Sequence, residues 1–248
     1  MKKLALTDFV KYRYPSALEL SPDSRYLTFA LKDVDREGDG YRWNLWLYDL
    51  ERRESRQITQ GDDQRKAVWE DNTHILYKTT EPDEALRARG FEEELTVYHR
   101  LNVCTGEDRE AFRLPMSVSG LWKMDEGRYV FTGETHLDRP NLLELTGEAL
   151  EKELVRRQQT RGYKVLTELP LCENGVGMFN QTRNTLFLYL EAAGEYRRIT
   201  PEDYDVNHVN VRPGQVLFTA FPFRDVKPVT EGMYRWDAER NETETLIT

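Results

Sequence analysis

Apolar and polar positions along the chain recur as a unit: a polar turn rich in Pro, Gly, Asp or Asn, then a short run of β-branched and aromatic residues. The first copy is Ser21-Pro22-Asp23-Ser24-Arg25, leading into Tyr26-Leu27-Thr28-Phe29-Ala30-Leu31. The second runs from Glu70-Asp71-Asn72-Thr73 into His74-Ile75-Leu76-Tyr77, and the third from Asp125-Glu126-Gly127 into Arg128-Tyr129-Val130-Phe131-Thr132. The fourth runs from Arg212-Pro213-Gly214 into Gln215-Val216-Leu217-Phe218-Thr219. The turn residues supply the dihedrals and local hydrogen bonds of a tight reversal, and the strand residues suit a pleated surface. Within the runs apolar residues occupy neighbouring positions instead of alternating, which predicts strands buried on both faces.

A second half follows each copy. In the first it is Leu45-Trp46-Leu47-Tyr48-Asp49, a charged turn, then Gln57-Ile58-Thr59; in the third it is Leu186-Phe187-Leu188-Tyr189, a turn through Gly194, then Arg198-Ile199-Thr200. The spacing from Tyr48 to Thr59 and from Tyr189 to Thr200 is 11 residues in both. Leu95-Thr96-Val97-Tyr98 with Phe112-Arg113-Leu114, and Met233-Tyr234-Arg235-Trp236-Asp237 with Leu246-Ile247-Thr248, complete the other two. Each second half predicts the outer hairpin of a four-stranded sheet. The central aromatics Phe29, Tyr77, Phe131 and Phe218 lie 48, 54 and 87 residues apart, and the first two spacings approach the period of propeller blades. The pattern therefore predicts an all-β fold, a partial β-propeller of about four four-stranded blades over 14–62, 63–116, 117–201 and 202–248. The longer third period carries an insertion, 143–159, where Leu143, Leu150 and Leu154 stand at near-helical spacing among Glu, Lys, Arg and Gln. One amphipathic helix capped near Thr146 is expected there. Leu4 to Tyr12 is expected to form a short helix or arm, and the lack of a long Gly/Ser/Pro linker predicts one domain.

With 248 residues the chain is long enough to bury a substantial core. Its 39% hydrophobic content is too high for a disordered chain, and 32% charged residues predict a heavily charged surface. A formal net charge of −9 argues against nucleic acid as the main partner. The apolar run near the start, Leu4-Ala5-Leu6, is too short for a signal-peptide core, and no stretch approaches a membrane span. The expectation is a cytoplasmic protein with no membrane partner. Cys104 and Cys172 stand in unrelated contexts, which predicts reduced, partly buried thiols and no metal cage.

Catalytic motifs are missing from the sequence. No Gly is followed by Ser two residues later, so there is no Gly-x-Ser-x-Gly elbow. His74, His99, His136 and His208 form no His-Glu-x-x-His pattern, and Gly175-Val176-Gly177 lacks the third glycine of a dinucleotide loop, Asn180 standing in its place. No catalytic residue, metal or cofactor is expected in this chain. His208 could face a central channel but is expected to be a structural or surface residue, and Trp43 and Trp46 are expected in the core.

The chain resembles the N-terminal propeller of the prolyl oligopeptidase family, in its acylaminoacyl-peptidase and dipeptidyl-aminopeptidase branch. The likeness rests on three features. Ser21-Pro22-Asp23-Ser24-Arg25-Tyr26-Leu27-Thr28-Phe29 is similar to the family's Ser-Pro-Asp-Gly turn and strand, with Ser24 in place of Gly. Ile58-Thr59 and Ile199-Thr200 are similar to its apolar-Thr blade ends. Glu168-Leu169-Pro170-Leu171-Cys172-Glu173-Asn174-Gly175-Val176-Gly177 looks like the branch's Glu-x-Pro-x-Trp-x-Asn-Gly-x-Gly stretch, with Cys172 where Trp is usual. The resemblance implies that this chain is the non-catalytic, gating part of a serine peptidase acting on short peptides. Its partners would then be an α/β-hydrolase domain elsewhere in a longer parent, of which this chain is a fragment, and a peptide substrate. Propeller carboxylates of dipeptidyl-peptidase relatives hold a substrate's amino terminus, which draws attention to the acidic run Glu92-Glu93-Glu94 and makes Glu92 and Glu93 the candidate substrate-binding residues. A stand-alone propeller scaffold that binds proteins or peptides is the alternative. Open blade edges predict homo-oligomers or marginal stability.

Overall fold

The computed structural model describes residues 5, 7–35, 40–61, 63–163, 165–170, 172–173, 177–178 and 180–248. Its strands form four four-stranded antiparallel sheets, each built from strands in simple chain order apart from one excursion. Sheet 1 contains β1 (Tyr14–Leu20), β2 (Tyr26–Asp35), β3 (Gly40–Asp49) and β4 (Glu54–Gln57). Sheet 2 contains β5 (Ala67–Trp69), β6 (His74–Pro82), β7 (Glu94–Asn102) and β8 (Asp108–Leu114), with the helical turn α1 (Glu84–Arg87) between β6 and β7. Sheet 3 starts with β9 (Val118–Asp125) and β10 (Arg128–His136). The chain then leaves through a 3-10 turn (Leu142–Glu144), helix α2 (Gly147–Gln159) and the small pair β11 (Cys172–Glu173) and β12 (Gly177–Met178). It returns as β13 (Thr182–Leu190) and β14 (Glu195–Arg198). Sheet 4 contains β15 (Tyr204–Arg212), β16 (Gln215–Pro222), β17 (Gly232–Asp237) and β18 (Glu242–Ile247).

The chain divides into two compact units. One comprises Met1–Glu81 with Thr96–Arg113, and the other Pro82–Leu95 with Leu114–Thr248. In the first unit, Ala30, Leu45 and Leu47 of sheet 1 pack against Ala67, Ile75, Tyr77 and Leu101 of sheet 2. Trp69 Nε1 donates to the Glu19 carbonyl at 3.1 Å, beside the irregularity in β1. In the second unit, Val130, Leu186 and Leu188 of sheet 3 pack against Val206, Val216, Phe218, Tyr234 and Trp236 of sheet 4. Asn184 adds polar links to the same neighbour, its N–H donating to Asp205 Oδ1 at 3.0 Å and its side-chain amide to the Val206 carbonyl at 2.8 Å.

The uninterrupted apolar runs are explained by the pairing of β10 with β13. Val130 lies opposite Leu188 and faces sheet 4, while Tyr129 and Phe131 lie opposite Tyr189 and Phe187 on the other face. All of these are buried, and the Phe131 and Phe187 rings stack with centroids 5.0 Å apart. A strand alternates faces with period 2, so only a strand covered on both sides is apolar at every position. The fourth copy departs from this expectation. In β16, Val216, Phe218 and Ala220 are buried, whereas Leu217 is 37% exposed opposite Arg235. One face of sheet 4 is open and mixed in polarity. Sheet 1 departs differently: Leu20, Leu27, Phe29, Trp46 and Tyr48 share a face by register, yet Leu20 is exposed and the rest are half-buried. Trp46, stacked on Phe29, and Trp43, covered by the Arg65 guanidinium at 4.2 Å, therefore lie outside the buried core in which the sequence placed them. Both cysteines are exposed, not partly buried.

The apolar-Thr ends have a defined physical role. Ile58 N–H donates to the Leu45 carbonyl and Thr59 Oγ1 accepts from Leu45 N–H at 2.8 Å; Ile199, Leu186 and Thr200 repeat the arrangement, with a hydroxyl contact of 3.3 Å. The hydroxyl thus continues the ladder where the fourth strand ends. At the first turn, Ser21 Oγ donates to Asp23 Oδ1 at 2.7 Å and accepts from Tyr26 N–H at 2.9 Å. Ser24 there takes φ +59°, the left-handed conformation that Gly127 and Gly214 adopt in the third and fourth turns. The expected early helix is a 3-10 turn, Asp8–Lys11; Leu4 and Leu6 lie outside the described residues.

Most of Glu168–Gly177 is sparsely described, with Leu171 and Asn174–Val176 outside the described residues. Glu168 itself is fully buried and accepts from the equally buried Arg183 at 2.5 and 3.1 Å and from Gln181 N–H at 2.8 Å. Arg183 also donates to the Phe223 carbonyl at 2.9 Å and lies 3.8 Å over the Phe223 ring. Leu169 N–H donates to the Asp225 carbonyl, and Lys227 N–H to the Leu169 carbonyl. The excursion is thereby stitched to the connection between β16 and β17.

Two stability outcomes follow from these contacts. Thr59→Val leaves the buried Leu45 N–H without an acceptor and is expected to lower the urea-unfolding free energy by about 1–3 kcal/mol, with Thr59→Ser near wild type. Glu168→Gln leaves a buried guanidinium uncompensated; a loss of about 3–5 kcal/mol in the same measurement is expected.

Candidate functional site

The second unit contains a cleft of about 580 Å³, within the size range of small-ligand sites. It is lined by the acidic run Glu92–Glu94, the end of β10, the turn leading to α2 and the outer hairpin of sheet 3. The acidic run is positioned by local rules. Asp83 caps α1 by accepting from Leu86 N–H at 2.9 Å, Gly90 at φ +82° ends the turn, and Asp83 N–H donates to the Glu93 carbonyl at 2.8 Å. Leu86 then packs with Leu142 and Leu154, joined by Phe91 and Leu150.

Helix α2 holds this segment through charge. Arg89 forms a two-pronged pair with Glu151 at 2.7 and 2.8 Å. Arg157 donates to Glu93 at 2.7 Å, to Glu153 at 3.0 Å and to the Pro140 carbonyl at 2.7 Å. Arg156 reinforces Glu153 at 2.7 Å. Hydrogen bonds from Arg156 and then Arg157 hold the Glu153 carboxyl below its ordinary 4.5. The helix follows the expected insertion: Thr146 is its N-cap residue and Leu154 is buried on its docked face.

Glu92, Glu93 and Glu94 all line the cleft. Glu93 is half-buried and committed to Arg157, whereas Glu92 and Glu94 are exposed, with no ion-pair partner among the described residues. Phe187 lines the cleft and is backed by Phe131 and Tyr196, which are not part of its lining; the Tyr196 hydroxyl donates to Glu144. Burial, and then that carboxylate, push the Tyr196 phenol well up. Glu134 is held low chiefly by His136, whose Nε2 lies 3.4 Å from Glu134 and 3.1 Å from Arg139. The sequence did not single out Arg157, Arg198, Phe187 or Glu134 as site residues. The outer-hairpin pattern places Arg198 across from Phe187, a pairing the structure contains. The 64-residue link between Glu93 and Arg157 has no sequence signal. His208 is exposed and lies outside the cleft.

Among the described residues no group of three or more His, Cys, Asp or Glu side chains could hold a metal ion. No helix among them is long and apolar enough to cross a membrane.

No protein-family model and no curated protein matches the chain. Solved structures do. Pyrococcus horikoshii acylaminoacyl peptidase aligns over 97% of this chain and 33% of its own, at 13% identity and a TM-score of 0.64. Acylaminoacyl peptidase in complex with Z-Gly-Gly-Phe-chloromethyl ketone gives the same coverage at 12% identity and a TM-score of 0.65. TolB from Acinetobacter baumannii aligns over 94% of this chain and 43% of its own, at 11% identity and a TM-score of 0.52. The chain is a β-propeller segment. This segment spans about a third of the acylaminoacyl peptidase chains it matches, and its likeness to them is one of fold.

The charged anchor of the acidic run makes a specific prediction. A carboxyl held below its ordinary value contributes stability that is present above that value and is lost as pH falls through the lowered one. Amide protection factors in α2, exchange rates divided into those of the unstructured chain at the same pH, are therefore expected to be high at pH 6 and to fall as pH drops below 4.5. Arg157→Gln, which removes the cation shared by Glu93 and Glu153, is expected to lower them at pH 6 as well.

Proposed function

We propose that this segment is the non-catalytic propeller part of a cytoplasmic serine-type peptidase, and that its cleft receives the amino end of short peptides at Glu92. The observation that carries the reading is the cleft itself: open carboxylates in a pocket that also presents the Phe187 ring, in a chain whose fold follows acylaminoacyl peptidase over 97% of its length. An ammonium group is matched in charge by the exposed carboxylates, and a charge-assisted hydrogen bond to one of them is the contact the reading requires. Glu93 acts through Arg157 as a positioning residue, leaving Glu92, with Glu94 beside it, to meet the ligand. A hydrolase domain of a longer parent would supply nucleophile, base and acid, and the propeller would restrict access to peptides of limited size.

The apolar face of sheet 1 supports the same reading. Leu20, Leu27, Phe29, Trp46 and Tyr48 are suited to lie against another sheet. Further blades of a parent chain, or a second copy of this one, would cover them. The second reading is a stand-alone propeller scaffold that binds proteins or peptides without cleaving them.

A peptidase assay separates the two. The 248-residue chain is expected to leave short peptides intact, while the full-length parent cleaves them and loses activity with a serine-directed inhibitor. Cleavage by the isolated chain overturns the first reading, and an inert parent favours the scaffold. Glu92→Gln is expected to weaken binding of a free-amino peptide about tenfold in calorimetry, with an unchanged melting temperature.

A further inference from the structure

Most charged groups around the cleft are satisfied from within. Glu93 is paired with Arg157, Glu144 accepts from Tyr196, and Glu134 and Arg139 both contact His136. Three groups are left uncommitted among the described residues: the carboxylates of Glu92 and Glu94 and the guanidinium of Arg198. They differ in sign, so the cleft is not simply an acidic patch.

Arg198 is an exposed guanidinium in the lining of the cleft. It sits at the end of β14, directly opposite Phe187 in the β13–β14 register, and its guanidinium carbon lies 5.7 Å from the centroid of the Phe187 ring. Phe187 is itself fixed by stacking on Phe131 and by the edge of Tyr196 at 5.6 Å. A guanidinium resting on an aromatic ring keeps its N–H edge available and loses less freedom when it captures a planar oxyanion. Two parallel N–H···O bonds to one carboxylate are the geometry this fork provides.

We propose that the cleft binds short peptides as zwitterions, with Arg198 holding the C-terminal carboxylate while the amino end lies at Glu92 and Glu94. This rests on the reading of Glu92 as the amine site and adds to it a second, oppositely charged end. The consequence is a length limit set by the protein: a peptide must be short enough for both termini to fall within a cleft of about 580 Å³. Peptides with a blocked carboxyl end, and internal segments of longer chains, forfeit the Arg198 contact.

The test is calorimetric binding of trialanine in four forms: both ends free, N-acetylated, C-amidated and doubly blocked. Arg198→Met, which retains an apolar stem over Phe187, and Arg198→Lys, which retains the charge without the fork, accompany the wild type. C-amidation is expected to weaken wild-type binding about tenfold or more. Arg198→Met should weaken the free tripeptide by the same factor and bind acid and amide alike, while still discriminating against N-acetylation; Arg198→Lys should fall between. Equal wild-type affinity for acid and amide, or an Arg198→Met protein that still tells them apart, overturns the proposal. Sensitivity to amidation without sensitivity to acetylation upholds Arg198 and overturns the amine site at Glu92. No measurable binding of any form overturns both.

Discussion

A four-stranded antiparallel sheet whose two faces are both apolar has no stable existence in water alone, and the rest of this structure follows from that. Every residue of Tyr129–Phe131 and of Leu186–Tyr189 is buried, with alternate residues pointing to opposite sides of the sheet and one side packed on sheet 4. Burying such side chains is worth about 1.5–3 kcal/mol each, which makes the second face as valuable as the first. The backbone must then close without waste. Thr59 and Thr200 show how: where the fourth strand runs out, a side-chain hydroxyl takes the next N–H of the third. The same device at equivalent places in sheets 1 and 3 marks them as copies of one module, even though few of their residues are identical.

Function is grafted on where the module is interrupted. Two interruptions matter, the α1 turn with its acidic run between β6 and β7, and the α2 excursion between β10 and β13. Both belong to the second unit, and they hold one another through a small apolar cluster and the pairs made by Arg89 and Arg157. Neither would keep a fixed place alone, since α1 is a single turn and α2 carries only a narrow apolar stripe. Docked together, they set carboxylates in a cleft that also presents the Phe187 ring of the sheet. A rigid blade thus provides the stacked rings, and the less regular insertions provide the charges.

The buried Glu168–Arg183 pair belongs to this division of labour. Its desolvation is offset only in part, by hydrogen bonds to Gln181, Phe223 and Thr182, while Arg183 Nε is buried without a partner, so the pair confers geometry more than net stability. It ties the excursion, at the start of β13 in sheet 3, to the connection that follows β16 in sheet 4.

The sequence by itself determined what local chemistry and periodicity can encode. Turns such as Ser21–Arg25, the double-faced strands of sheet 3, the outer hairpins ending in Ile-Thr and the α2 helix near Thr146 were legible, because each depends on residues a few positions apart. The acidic run Glu92–Glu94 stood out by composition, yet which of its carboxylates stays open did not. That was decided by Arg157, far along the chain, through a contact that only the docking of α2 creates. The exposure of Trp43, Trp46 and both cysteines was likewise beyond reach, since apolar character shows that a face can be buried and not whether a neighbour covers it. The meeting of Arg198, Phe187 and Glu92 in one cleft is tertiary for the same reason: each residue is ordinary in its own strand or loop, and the chemistry lies in their being brought together.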